Sequence, residues 1–344
     1  MTMKNQRFGI EIEMTGLTRK QASEIIALHF SSLSIHEGGG YDTYSVSDQH
    51  GRKWKIVSDA SITPQCGNRS TMNRDYKVEM VSPICKYDDI EDIQQIVRKL
   101  RTEGNAKVNK SCGIHIHVDA SPHDARSLRN ITNIMYSKED LIYKALQVSV
   151  SRENRYCKKV DESFIEKLNR RKPKSISQVE NIWYNGNTTR SLSHYDDSRY
   201  HALNLHSVFS KGTIEFRLFN GTLHAGEIKS YIQFCLAVSH QALSQTKATR
   251  RKTHSSNEKY TFRTWLLRLG LIGDEFKTAR FHLLKNLDGC IAWKDPNQAI
   301  TQKERLKKKR EEQTAEPQDV QESQENEDMD QHNEESFMGM QQQM

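Results

Sequence analysis

Three short segments place paired polar side chains inside otherwise apolar runs. They are Phe8-Gly9-Ile10-Glu11-Ile12-Glu13-Met14, Gly113-Ile114-His115-Ile116-His117-Val118 and Thr213-Ile214-Glu215-Phe216-Arg217-Leu218-Phe219. Successive side chains of a strand point to opposite faces, so each segment turns its polar pair to one face and its Ile, Val or Phe to the other. Residues i and i+2 lie roughly 6.5–7 Å apart along a strand, close enough to converge on one group of ions. Glu-x-Glu, His-x-His and Glu-x-Arg side by side supply carboxylates and imidazoles for metal and a guanidinium for phosphate. The chemistry indicated is the handling of a metal-bound nucleotide.

Each pair has a plainer alternative. Glu11 and Glu13 repel one another unless cations neutralise them, which points to a divalent ion; the alternative is a solvated strand face. Glu79, within Lys77-Val78-Glu79-Met80-Val81, stands alone in an apolar strand, and Asp59 reads either as a turn residue or as a ligand. His115 and His117 offer imidazole nitrogens from one face, the alternative being satisfied core histidines. Glu215 and Arg217 are otherwise a simple ion pair. Arg199, Lys211 and Arg217 together are candidates for the cationic side of a phosphate site. Oxygen donors (Glu11, Glu13, Asp59, Glu79, Glu215) outnumber the imidazoles, which favours magnesium or manganese over zinc, and so many carboxylates imply more than one ion. The chain has neither G-x-x-x-x-G-K-[ST] nor G-x-G-x-x-G, so metal and arginine, not a glycine loop, would hold the nucleotide.

The elements that must position these residues alternate irregularly between strand and helix. Thr18 and Gln21 form a capping-box signal for a helix to about Phe30. Gly38-Gly39-Gly40 breaks the chain, and Thr43–Val46 and Trp54–Val57 read as a hairpin turning over Asp48–Lys53. Tyr76–Ser82 reads as a strand stopped by Pro83, and Asp88 caps a helix carrying Ile93, Ile96, Val97 and Leu100. Ser121-Pro122 opens a helical region to about Val150, re-capped at Ser137. Weak periodicity and the basic run Asn169–Lys174 mark 151–200 as a loop-rich insertion. Segments 200–208 and 212–219 pair as strands; helices follow at 225–245, 261–270 and 275–286, then a charged helix-prone run, Lys303–Arg310. The hairpin and the alternating faces fit an antiparallel sheet with one working face and helices on the other. The expectation is one α+β domain over residues 1–300, with a charged, disordered tail over 301–344.

The chain has 344 residues, a mean hydropathy of −0.80 and a net charge of +7. Eleven acidic residues and no Lys or Arg follow Arg310, leaving 51 Lys and Arg against 33 acidic residues in 1–310, a formal +18. A body so basic suits a polyanion. Six scattered cysteines without C-x-x-C pairs, no apolar leader and no run of eighteen apolar residues read as a soluble, cytoplasmic protein with free thiols.

Glu-x-Glu in Phe8–Met14, Trp54-Lys55-Ile56-Val57-Ser58-Asp59-Ala60-Ser61, Val78-Glu79-Met80-Val81-Ser82-Pro83, Cys112-Gly113-Ile114-His115-Ile116-His117 and Ile214-Glu215-Phe216-Arg217 occur in that order. Over roughly residues 5–240 the chain resembles the amidoligase family, a branch of the carboxylate–amine ligases that includes glutamine synthetase and glutamate–cysteine ligase. Ala60 stands where that family usually has Gly. The resemblance implies a mainly antiparallel sheet curved into a partial barrel, as in the glutamine synthetase catalytic domain, with helices on its outer face. By the same resemblance ATP would enter one end and the acid the other, and phosphorylation would give an acyl phosphate, which an amine would convert to an amide or isopeptide. By motif position Glu11, Glu13, Asp59, Glu79, His115 and Glu215 would hold two or three magnesium (or manganese) ions. His117, Lys211 and Arg217 would face the nucleotide, and Arg217 and Arg199 would stabilise the phosphoryl group in flight. The identity of acid and amine stays open among an amino acid, a peptide, a cell-wall fragment and a protein side chain, with no membrane expected. Ranked below are a zinc hydrolase built on His115, His117 and a glutamate, a kinase on the same scaffold, and a non-catalytic nucleic-acid-binding protein, which lacks the aromatic-basic interleaving of single-strand binders.

Overall fold

In a computed structural model, which describes residues 2–67 and 69–314, the strands are β1 (Phe8–Met14), β2 (Ser34–Gly38), β3 (Thr43–Ser47), β4 (Lys53–Val57), β5 (Gln65–Cys66), β6 (Arg69–Ser70), β7 (Val78–Val81), β8 (Gly113–Asp119), β9 (Leu203–Asn204) and β10 (Thr213–Asn220). All but β5 and β6 form one sheet in the order β2-β3-β4-β7-β1-β8-β10-β9, antiparallel at every step. The sheet is open, with β2 and β9 at its edges. The chain divides into units at 296/297, and the described residues of the second, 297–314, all lie in one helix that starts at Pro296, ends at Thr314 and contains the charged run. The disorder expected of the tail falls, from 315 onward, outside the described residues.

The alternation in β1, β8 and β10 sorts the two faces. Ile10, Ile12, Met14, Ile114, Ile116, Val118, Ile214 and Phe216 are fully buried on one side and join Trp54, Ile56, Val78 and Met80 in a single core. Helices α1 (Arg19–His29), α2 (Ile90–Thr102) and α3 (Ala125–Leu146) supply the covering layer, with α8 (Ala225–Ser244) at its centre, packed on β8, α2 and α3. Burying this apolar surface is the main stabilising term and leaves the opposite face free for polar groups. The capping box at Thr18 and Gln21 is present, and all six cysteines are free thiols. Among the described residues no helix is long and apolar enough to cross a membrane.

Several elements differ from expectation. The segment 151–200 carries three helices, α4 (Val150–Arg155), α5 (Glu162–Arg171) and α6 (Ile176–Trp183), where a loop-rich insertion was expected. They are short and bury only a few residues each, such as Phe164, Ile165 and Leu168 of α5, too few turns for periodicity to stand out. Helix α3 runs unbroken through Ser137, whose hydroxyl donates to the Ile134 carbonyl 3.1 Å away and so does not cap a new start. Between β9 and β10 the chain forms α7 (His206–Lys211), closed by Gly212 in the left-handed region, so the expected strand 200–208 shrinks to two residues. Helices α9 (Glu258–Arg268) and α10 (Lys277–Leu284) precede α11 (Pro296–Thr314), the last helix among the described residues.

The hairpin β3–β4 is tied to the start of α2 by one arginine. Asp48 accepts from the backbone N–H of His50 and Arg52, from Trp54 Nε1 and from Arg52 Nε, while the Arg52 fork reaches both oxygens of Asp89 at 2.9 and 2.7 Å. Arg52→Met is expected to cost about 2–4 kcal/mol in urea unfolding, because the nearly inaccessible Asp48 carboxylate loses its counter-charge. Burial would raise both carboxyls, yet the bonds to Asp48 and the Arg52 fork on Asp89 hold them below the ordinary 3.8. Their stabilisation is therefore present above pH 3.8 and lost as pH falls below it. Wild type and Arg52→Met should differ in stability at pH 6 and converge in acid.

Candidate active site

Strand register decides which polar residues meet. Glu13 lies opposite Glu79, Glu11 opposite His115, and His117 opposite Glu215, whose other neighbour is Asn204. The polar face of β7-β1-β8-β10 thus carries an unbroken diagonal row of ionisable groups. His115 Nδ1 is 2.9 Å from Glu11 Oε2, and His117 Nε2 is 3.3 Å from Glu11 Oε1 without the alignment of a hydrogen bond. Glu13 accepts from the Gly113 N–H at 2.6 Å, and Asn204 donates to Glu215 at 2.7 Å. Arg217 pairs with Glu215 on its own strand. The ladder shifts register between Phe216 and Phe219, a bulge that sets Arg217 at a kink beside the row. Asp59 accepts from the Ser61 N–H at 2.6 Å, so it is a turn residue as well as a member of the row.

Three overlapping donor sets result, each with its ligand atoms within 4.8 Å of one another: Glu11–His117–Glu215, Glu11–Glu79–His115 and Glu13–Asp59–Glu79. All six residues expected to hold metal fall in these sets, and His117, expected beside the nucleotide, joins the first. Buried polar atoms without a hydrogen-bond partner gather here: His117 Nε2, Asn204 Oδ1, Arg217 Nε and Arg152 Nε. Such orphans are rare in folded proteins and mark places where a further group completes the bonding. The set is oxygen-rich with one imidazole at most per group, a composition suited to magnesium or manganese.

The charges along the row are uneven. Burial would raise Glu11, but the His117 charge and the hydrogen bond with His115 hold it well below its usual value. Burial pushes Glu13 up to about 8, with the Asp59 charge adding to it. Glu79 is driven well above the carboxylate range by burial and then by Glu11, Glu13 and Asp59. Burial opposes ionisation of Glu215 too, yet Arg217 and His117 hold it at about 2. His115 falls to about 4 through burial and the Arg217 charge, whereas Glu215 and Glu11 outweigh burial at His117 and raise it. At the Glu13–Asp59–Glu79 end burial and mutual repulsion thus outweigh the nearby positive charge and oppose ionisation of Glu13 and Glu79, whereas the Glu215 end is already balanced by cations. Addition of magnesium or manganese is expected to raise the melting temperature, by roughly 2.7 kcal/mol of added stability at a hundredfold excess over Kd, and a chelator should reverse it. Scanning fluorimetry with and without the ion checks this; an unchanged melting temperature would speak against an ion site.

Above the row lies a cavity of about 650 Å³, floored by Glu11, Glu13, Asp59, Glu79, His115 and Arg217. A second cavity of about 290 Å³ adjoins Glu215 and Asn204; His194, Arg199 and Lys211 line both. Arg199 and Lys211 therefore lie beside the Glu215 end of the row. Sequence reasoning missed Arg152, Tyr156, His194, Tyr195 and Tyr200, all from 151–200, which wall the larger cavity, and Arg74 and Lys77 beside Asp59. No spacing signal marks them: the conspicuous basic run 170–174 is outside both cavities, and single residues on short helices form no motif.

Residues 4–239 match a family model described as "Putative amidoligase enzyme". The chain belongs to this amidoligase family. All the row residues lie inside the matched span. No curated protein matches the chain. Among solved structures it is similar to a bifunctional glutathione synthetase from Pasteurella multocida, with 13% identity and a TM-score of 0.36 over 82% of this chain. The amidoligase chain spans 46% of that protein's length.

Proposed function

We propose that the chain is an ATP-dependent carboxylate–amine ligase that works with magnesium or manganese. The observation that carries this reading is the row of three overlapping donor sets ending at Arg217, with Arg199 and Lys211 beside it. In the proposed reaction a carboxylate oxygen of the acid attacks the γ-phosphorus of ATP and displaces ADP. The amine nitrogen then attacks the acyl carbon, phosphate departs with the C–O electron pair, and the nitrogen loses a proton. Acid, amine and ATP thus become amide, ADP and phosphate.

Glu11, Glu13, Asp59, Glu79, His115, His117 and Glu215 would hold the ions, which when bound neutralise the phosphate oxygens. Arg217 is kept in place by Glu215, which Asn204 orients in turn. With Arg199 and Lys211 it presents positive charge to the transferring group, and no protein nucleophile is required. We assign the phosphates to the smaller cavity and the acid to the larger. A curved, partial-barrel form of the sheet like that of glutamine synthetase belongs to the same proposal. The zinc-hydrolase alternative is weakened because His115 and His117 fall in different donor sets, each with carboxylates.

The test is ADP release over a panel of acid and amine pairs with magnesium, manganese or zinc, with mass spectrometry for products equal to acid plus amine minus water. Magnesium-dependent release with such a product is expected. Phosphorylated acid or amine as the end product would favour the kinase, and turnover with zinc alone would favour the hydrolase. Salt-sensitive nucleic-acid binding that survives Glu11→Ala and Glu215→Ala, without turnover, would favour the binding protein.

A further inference from the structure

Three arginines are buried in the described fold: Arg19, Arg152 and Arg217. Arg19 pairs with Asp42 and, at 3.2 Å, with Asp75; Arg217 pairs with Glu215. Arg152, only 4% exposed, makes no ion pair among the described residues. One terminal nitrogen of its fork donates to the Cys112 carbonyl at 3.3 Å, the other to the Arg217 carbonyl at 3.1 Å, and Nε has no partner. Two backbone carbonyls thus meet part of the fork's donor capacity, and neither carries a charge. Its charge acts on Glu13, whose carboxyl it lowers against burial, but no carboxylate among the described residues is in ion-pair contact with the fork, and a buried guanidinium without a bonded anion is unfavourable.

The seat of this side chain is built. Its guanidinium rests against Gly113, where a Cβ would fall 2.5 and 2.6 Å from the two terminal nitrogens. Gly113 in turn donates its N–H to Glu13, which places the fork beside the Glu13–Asp59–Glu79 set, and Arg152 lines the larger cavity with those three carboxylates. The planar fork matches a carboxylate.

Resting on the ligase reading and its assignment of the acid to this cavity, we infer that Arg152 anchors a second carboxylate of the acid substrate. The acid is then a dicarboxylate, or an amino acid or peptide with a free carboxylate besides the one activated. Arg152 is a specificity-determining residue that touches the substrate away from the reacting atoms.

The probes are glutarate against butyrate and L-glutamate against γ-aminobutyrate, pairs that differ by one carboxylate, titrated by calorimetry into full-length protein with magnesium and a non-hydrolysable ATP analogue. Wild type should bind each diacid at least tenfold more tightly than its partner. Arg152→Gln should bring the ratio near one, and Arg152→Lys should keep part of it. Gly113→Ala, which leaves the charge but displaces the fork, should lower the ratio as Arg152→Gln does. Manganese binding in the variants reports an intact row. Equal affinities in wild type, no binding of either diacid, or a ratio unchanged in Arg152→Gln and Gly113→Ala would overturn the assignment. If Arg152→Gln does not fold, Arg152→Lys and the wild-type ratio decide. Normal ADP release without diacid preference counts against Arg152 alone; diacid preference without manganese binding or ADP release counts against the ligase reading alone.

Discussion

Glu11→Gln should lower magnesium-dependent ADP release at least 10³-fold, about 4 kcal/mol of transition-state stabilisation, while the protein stays folded. Glu11 is the one residue shared by the Glu215 set and the His115 set, so its charge joins two of the three donor groups. Glutamine keeps the shape and one oxygen but removes the negative charge that His115 contacts at 2.9 Å and His117 at 3.3 Å. Unfolding in chelator should show a modest loss of stability, because the His117 charge and the His115 bond that hold Glu11 ionised are lost while Glu79 is relieved of one neighbouring charge. Manganese titration should lose at least one ion equivalent. Wild-type ADP release by this variant would detach the row from the reaction.

Arg217→Met should abolish turnover and also destabilise the fold by about 3–5 kcal/mol. Glu215, 2% exposed, depends on Arg217 and then His117 to remain ionised against burial. The sign of the pH effect follows: a carboxylate held at about 2 contributes stability that is complete above its ordinary 4.5 and is lost as pH falls toward 2. The stability gap between wild type and Arg217→Met should therefore be widest above pH 4.5 and narrow in acid. Adding Glu215→Gln should recover stability, since both members of the buried pair are then neutral, but not activity. Arg217→Lys preserves charge without the fork and should lose about 10² in kcat at a smaller stability cost. An Arg217→Met enzyme with normal kcat would remove this residue from the phosphoryl site.

The site was far more legible than the walls around it. Period-two alternation in Phe8–Met14, Gly113–Val118 and Thr213–Phe219 states both the strand and its two faces, because burial demands apolar residues on one side alone. The Thr18–Gln21 box and the Asp48 turn are likewise local, each satisfied by hydrogen bonds within a few residues. By contrast α4, α5 and α6 are too short for periodicity to separate them from loops, and the unbroken α3 needed its tertiary packing to override the serine signal.

From sequence alone come the donor inventory, the shared face of each i, i+2 pair, and a preference for oxygen-bound ions. Only the tertiary structure decided which residues meet. Ladder register sets Glu13 against Glu79, Glu11 against His115 and His117 against Glu215, and separates the two histidines into different donor sets. It also brought in Arg152, a lone arginine in sequence, as the buried cation against Gly113. Alternation is a property of one strand, whereas register and long-range burial depend on how separate strands and helices pack, and no local spacing encodes that.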